Sequence, residues 1–416
     1  MVGKGAPNVF QFGGGESKDL LLSFSNSYRK TKPVIKTVYE PETSSAGKNR
    51  FNTMAKLVGV DKWMFFTTLL LVVAGLVMVF SASAVVAQER YNSPYTFVGK
   101  QAIWALAGVL VMLVLMHVDY TVYNSPRFIY PALCVTTLLL VLVFFFTTSH
   151  NTHRWIHFGP FTLQPSEIAK PVLILFLAWF LSTRLDLMRD WKHTLLRAAL
   201  IPVAFVLLIV KQPDLGTALV LCGVTAMMLL LAGMEWKYLA FGALAALPGL
   251  VALLFMVAWR RQRMLVFLNP ESDPQGAGFH INQSLIAVGT GGLTGRGYME
   301  GVQKLFYLPE AHTDFIFANI AEELGFIGSI AIIVLFIVFG VRGLRATFRS
   351  RDPFARLVAF GITTTILLQA FFNISVVLSL VPTKGIPLPL ISFGGTSIFC
   401  TLASIGILLN ITKKAD

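Results

Sequence analysis

The chain has 416 residues, 55% of them hydrophobic and only 13% Asp, Glu, Lys or Arg. A soluble domain carries nearly twice that charged share, so an ordinary cytosolic enzyme is excluded. Long apolar runs with 34 Phe and seven Trp exclude a disordered chain. Lys and Arg outnumber Asp and Glu by 34 to 21, a net +13 that nucleic acid, anionic lipid or membrane topology could each explain.

Residues 1–62 are polar, with Gly13-Gly14-Gly15 and ten basic against five acidic side chains, and read as a mobile tail. No cleavable signal peptide is expected, because the first long apolar run begins near Trp63. A bilayer span needs about 20 apolar residues. Ten segments qualify: 63–84, 101–118, 127–148, 166–183, 195–210, 215–233, 238–258, 315–341, 357–381 and 387–411. Two stretches break the rhythm: 149–165, and a long, Gly-rich polar loop at 259–314. Cys134, Cys222 and Cys400 lie in apolar runs without metal-ligand spacing and read as buried thiols. The fold class is an all-α integral membrane protein of about ten transmembrane helices.

Orientation follows from the Lys and Arg bias of short loops. With ten alternating spans and both termini cytoplasmic, the inner side collects 23 basic and 11 acidic residues, the outer side 11 and 10. Topology therefore absorbs most of the excess, and nucleic acid is not needed to explain it.

Three arginines fall on the outer side just after the seventh span, Arg260, Arg261 and Arg263, followed by Arg296 and Lys304. They suit either an interfacial cluster on lipid head groups or a phosphate site, since the guanidinium fork matches phosphate oxygens. The stretch Gly289–Gly297 lacks the GxxxxGK[ST] spacing and a preceding strand, so no nucleotide is expected. Asp314 opens the eighth span. It is either the helix N-cap or, facing cationic groups, a general base toward a phosphate-activated carbon. Glu322, two turns inside that span, is costly there unless it faces a partner or cavity. His312 and Asp314 could share a divalent ion, a weak signal at two ligands.

Glu167 and Lys170 at the start of the fourth span are spaced to pair on one face. Pro165 and Pro213 suit first helical turns, the latter beside Asp214. Gln369 and Asn373, one turn apart in the ninth span, suit interhelical hydrogen bonds. Lys384 lies in the outer link before the tenth span, and Arg154 in the 149–165 segment.

The stretches Gly75–Ser83, Arg154-Trp155-Ile156, Gln164–Glu167, Gln212–Thr217, Pro309–Phe317, Pro382–Gly385 and Pro387–Ser397 together resemble the SEDS family (shape, elongation, division and sporulation) of polytopic cell-wall glycan polymerases. The match runs in order over the chain after the tail. Pro309–Asp314, Pro382–Gly385 and the long tail are closer to the division member, whereas Ile386-Pro387 is closer to the elongation member. The resemblance implies a peptidoglycan glycosyltransferase that polymerises lipid II on the outer face of the bacterial cytoplasmic membrane, at the division septum. It places the essential aspartate on Asp314, which would deprotonate the acceptor 4-hydroxyl for inverting attack as undecaprenyl pyrophosphate leaves. Arg260, Arg261, Arg263, Lys384 and Arg154 are the candidates for the pyrophosphates, with Glu167, Lys170, Asp214, His312, Glu322 and Gln369 as supporting polar groups. A divalent cation, Mg2+ or Mn2+, is implied. So are other divisome membrane proteins and a class B penicillin-binding protein, the transpeptidase partner. Two other classes suit the same residues: a lipid II flippase or transporter, and a non-catalytic scaffold.

Overall fold

The computed structural model describes residues 59–146, 153–158, 161–184, 196–269, 273, 276, 278–305 and 307–414. The expected tail therefore lies outside the described residues except for its last four. Twelve α-helices are described: α1 Lys62–Tyr91, α2 Thr96–Leu115, α3 Pro126–Leu142, α4 Pro165–Ser182, α5 Leu196–Lys211, α6 Leu215–Leu231, α7 Trp236–Phe255, α8 Ala258–Leu268, α9 Phe279–Gly291, α10 Ile316–Arg349, α11 Pro353–Val377 and α12 Gly395–Lys414. Each of the ten predicted spans overlaps one of them. Seven are both long and apolar enough to cross a bilayer, and α6 is a shorter apolar helix.

Local sequence sets the starts. Asp61 accepts a hydrogen bond from the Met64 amide at 3.0 Å and caps α1, and Asp352 likewise caps α11 ahead of Pro353. Pro165 is the first residue of α4, where its missing N–H is harmless. Asp214 caps α6, so Pro213 stands before the cap rather than in the first turn.

Helices α4, α11 and α12 are mostly buried, whereas α2 and α3 face outward over most of their surface. α11 packs on α4, α6 and α10; α12 packs on α2, α4 and α11; α1 packs on α2 and α10. The outward faces are apolar. On α2, Ile103, Leu106, Leu110 and Val114 form one stripe at helical spacing, each more than half exposed. In water such a stripe would be a liability; against hydrocarbon it is the expected surface. Cys134 and Cys222 lie on such outward faces, and only Cys400 of the three is a buried thiol. Their apolar surroundings are lipid-facing rather than interior.

Three expected segments take a different form. The 259–314 loop contains α8 and α9, because its Arg-rich and Gly-rich stretches hide two short helices with modest apolar faces. The tenth span begins at Gly395 rather than 387, since Ile386–Phe393 is a turn-rich segment with Leu390 at positive φ. Within 149–165 two short strands pair antiparallel, β1 Ile156–Phe158 with β2 Phe161–Leu163, and His157 faces Thr162. It docks on α12, where the Thr396 hydroxyl donates to the Thr162 carbonyl at 2.9 Å and accepts from the Gln164 amide.

Candidate active site

Arg154 follows α3 in the chain and points across to the turn between α5 and α6. Its guanidinium donates to the Gln212 carbonyl at 3.3 Å and to the Pro213 carbonyl. Gln212 in turn donates to the Leu140 carbonyl at 2.9 Å. Asp214, buried at 2% exposure, is saturated. Its carboxylate accepts from the Thr217 amide and hydroxyl, from Ser166 Oγ and from Gln164 Nε2, all within 3.3 Å. Asp214 thus joins the starts of α4 and α6, a positioning role rather than a reactive one.

These groups form one wall of a cleft whose other walls are Leu254 of α7, Arg260, Arg263 and Met264 of α8, and Pro382–Gly385. Arg260 and Arg263 are one helical turn apart and share a face that lines the cleft; Arg261, about 100° round the helix from Arg260, does not line it. Four cations therefore converge: Arg154, Arg260, Arg263 and Lys384. Desolvation lowers the affinity of Arg263 for its proton, with Arg154 adding repulsion and Asp314 opposing both. Desolvation and Arg260 lower that of Lys384. Like charges held this close are a site prepared for a polyanion.

Asp314 sits at the edge of this cleft. A Cβ placed on Gly385 would lie 2.8 Å from Asp314 Oδ2, so glycine is what lets the carboxylate lie against the 383–386 segment. The backbone around it is fixed from three directions. Asn373 Nδ2 donates to the Asp314 and Ile386 carbonyls, both at 2.8 Å. Ser392 Oγ donates to the Thr313 carbonyl at 2.6 Å, and the Phe393 amide donates to the His312 carbonyl. Gln101 holds that segment in turn, bonding the Ser392 carbonyl and the Gly394 amide, both at 3.1 Å. Asp314 is not the helix cap: Phe315 occupies that position without a side-chain cap bond. No hydrogen bond to the Asp314 carboxylate is found among the described residues. Its surroundings raise its pKa to about 7, through desolvation first and then Glu310, with Arg154 and Arg263 pulling the other way. A half-buried carboxylate that takes up a proton near neutrality is matched to general-base work.

The remaining candidates lie elsewhere. Glu167 and Lys170 pair at 2.7 Å inside the bundle, and Lys170 also donates to Gln369 at 3.0 Å. Gln369 thus bonds between helices, as expected, whereas Asn373 reaches the Asp314 and Ile386 carbonyls outside the helices. His312 packs its ring between Phe97 and Phe393. Glu322 accepts from the Val302 and Gln303 amides at 2.9 and 3.2 Å, with Arg296 at 3.9 Å. Sequence reasoning passed over its neighbour Glu323, which accepts from Ser81 at 2.6 Å and from Lys304 at 2.6 Å, all three buried. The signal was present, because Glu323 lies as deep in an apolar run as Glu322. Lys304 is consequently not available to phosphate.

Among the described residues, no three His, Cys, Asp or Glu side chains gather as a metal site. His312 is packed among aromatic rings and Asp214 is saturated by protein donors. The described residues do not by themselves fit a resident divalent ion.

The fold and this site define a polytopic membrane protein with a cationic outer cleft and one poised carboxylate. Residues 61–416 match the cell cycle protein family FtsW/RodA/SpoVE, and the chain belongs to that family. It is 41% identical over 364 residues to the probable peptidoglycan glycosyltransferase FtsW of Geobacter sp. (strain M18), covering 87% of this chain and 99% of the relative. It is 40% identical to the stage V sporulation protein E of Bacillus subtilis (strain 168) over 86% and 98% of the two chains. Among solved structures, a chain of a peptidoglycan synthase complex that coordinates polymerization and crosslinking matches with TM-score 0.70 and 28% identity, over 86% of this chain and 99% of that one. The rod shape determining protein RodA of Thermus thermophilus matches with TM-score 0.63 and 26% identity, over 86% and 98%.

Proposed function

We propose that the chain is a peptidoglycan glycosyltransferase that polymerises lipid II on the outer face of the cytoplasmic membrane, working in septal wall synthesis. The observation that carries the reading is Asp314, a carboxylate without hydrogen-bond partners among the described residues, beside a cleft lined by Arg154, Arg260, Arg263 and Lys384. Asp314 takes the proton of the acceptor 4-hydroxyl. The oxygen forms a bond to the anomeric carbon of the growing glycan while the bond from that carbon to the pyrophosphate oxygen breaks. Undecaprenyl pyrophosphate leaves and the anomeric centre inverts. The cations stabilise the charge that builds on the departing pyrophosphate, a contribution that strengthens in a water-poor site.

The relatives at about 40% identity bear FtsW and sporulation names, which supports the division role over elongation. A likeness to a synthase complex joining polymerisation and crosslinking supports a class B penicillin-binding protein as partner. Purified protein given lipid II tests the reading, with glycan length as readout. Ladders of polymer are expected. Movement of labelled lipid II across a vesicle bilayer with no polymer would overturn the enzyme in favour of a flippase.

A further inference from the structure

The opposite end of the bundle carries a second concentration of cations that the reaction does not use. Two pockets flank the last turns of α10 and share Arg349. One is lined by Lys62 and Trp63 at the start of α1 and by Arg342, Arg345 and Arg349. The other is lined by Tyr120, Arg349, Arg351, Asp352 and Lys414. Two carboxylates also line them, and both already have structural work. Asp61 caps α1 and accepts from Arg342 Nη2 at 2.6 Å. Asp352 caps α11 by accepting from the Phe354 amide. Lys62, Arg345 and Arg351 have no carboxylate partner among the described residues.

The position of the arginines on α10 indicates what the pockets hold. Ile330, Val334, Ile337 and Val341 form an exposed apolar stripe, each at least 40% exposed. Arg345 and Arg349 continue that stripe by one and two turns, on the same face. On α1, which packs against α10, Trp63, Phe66, Leu70 and Val73 make a parallel stripe that ends at Lys62. An apolar track leading into pockets that hold Lys62, Arg345 and Arg351, cations with no carboxylate partner among the described residues, matches a two-part ligand, hydrocarbon joined to phosphate. A soluble acidic protein would meet the charges but not the track. The Lys and Arg bias of the loops assigns this end to the inner leaflet. Basic pockets between helices at that level bind phosphate-bearing head groups, and the guanidinium fork suits them.

We propose that these paired pockets form a binding site for the head group of an anionic phospholipid of the inner leaflet, its acyl chains lying along α1 and α10. The site is remote from the polymerisation cleft and stands whether or not the catalytic assignment does.

Native mass spectrometry of the purified full chain tests this, with phosphatidylglycerol, cardiolipin and phosphatidylcholine as probes. Anionic lipid is expected to be retained in excess over phosphatidylcholine. At about 1 kcal/mol per charge, the R345Q/R351Q double variant should weaken that retention about thirtyfold. R345K/R351K, which keeps both charges, should retain most of it. Inorganic phosphate in excess should fail to displace the lipid. Equal retention of anionic and zwitterionic lipid, or retention unchanged in R345Q/R351Q, overturns the proposal. Displacement by inorganic phosphate alone assigns the pockets to free phosphate and also overturns it. Displacement by an acidic peptide, with no preference among lipids, assigns them to a protein partner and does the same.

Discussion

Two groups of carboxylates lie near the outer end of α10, about two helical turns apart, each with cations in reach, and they are treated in opposite ways. Glu322 and Glu323 are buried and saturated. Loop amides, Ser81, Asn319 and Lys304 occupy their oxygens. Their carbonyls accept from the Arg296 and Gly297 amides, and α10 kinks at Gly325, which has positive φ. Asp314 has its backbone fixed by neighbours while its carboxylate receives no hydrogen bond from the described residues. Donors that occupy the oxygens of Glu322 and Glu323 leave them little capacity to accept a further proton, whereas the Asp314 carboxylate keeps that capacity. The distinction lies in the hydrogen bonds, because burial and nearby cations are common to both.

The largest expected effect is on Asp314. Asp314→Asn should lower polymerisation by roughly 10²- to 10⁴-fold. Its thermal midpoint at neutral pH should be unchanged or higher. The sign follows from the raised pKa: the folded chain holds the proton more tightly than the unfolded one. That stabilisation is complete below the ordinary carboxylate range and is lost as pH rises through about 7. Asparagine removes the penalty of ionising there. A folded D314N protein with wild-type polymerisation would erase the contrast between the two regions.

Glu323→Ala should behave in the opposite way. Leaving Lys304 buried without its partner is expected to destabilise the fold by about 3–5 kcal/mol, read as thermal midpoint and yield. Activity per folded molecule should fall far less. Normal stability with specific loss of turnover would move Glu323 into the chemistry.

A smaller effect separates the two faces of α8. Arg263→Ala should lower kcat/KM for lipid II by about ten- to a hundredfold, the scale of a lost hydrogen bond to a charged group. Arg261→Ala should change it little, since Arg261 lies outside the cleft. Equal losses would return the arginines to a common interfacial role.

Much of this was legible in the sequence, for identifiable reasons. The ten apolar segments were, each falling on a helix and seven of them long enough to cross, because hydrocarbon demands about 20 apolar residues wherever the chain crosses. Pairing within one helix was also readable: Glu167 and Lys170 are three residues apart and do meet. Pairing across the fold was not. Ser81 and Glu323 are 242 residues apart, and no local pattern brings them together. Treating 259–314 as one loop hid the helix that sorts Arg260 and Arg263 from Arg261. Lys304 read as an available outer cation because its partner, Glu323, had gone unnoticed beside Glu322. Asp314 itself was readable as a choice between helix cap and base, and the cap at Phe315 removes the first of these.

The pH dependence of kcat/KM for polymerisation by the wild-type chain tests the central claim most directly. The account predicts a rate that climbs about tenfold per pH unit on the acid side and levels off above about 7, as Asp314 becomes the free carboxylate. A flat profile across neutrality, or an inflection in the ordinary carboxylate range near 4, would contradict it.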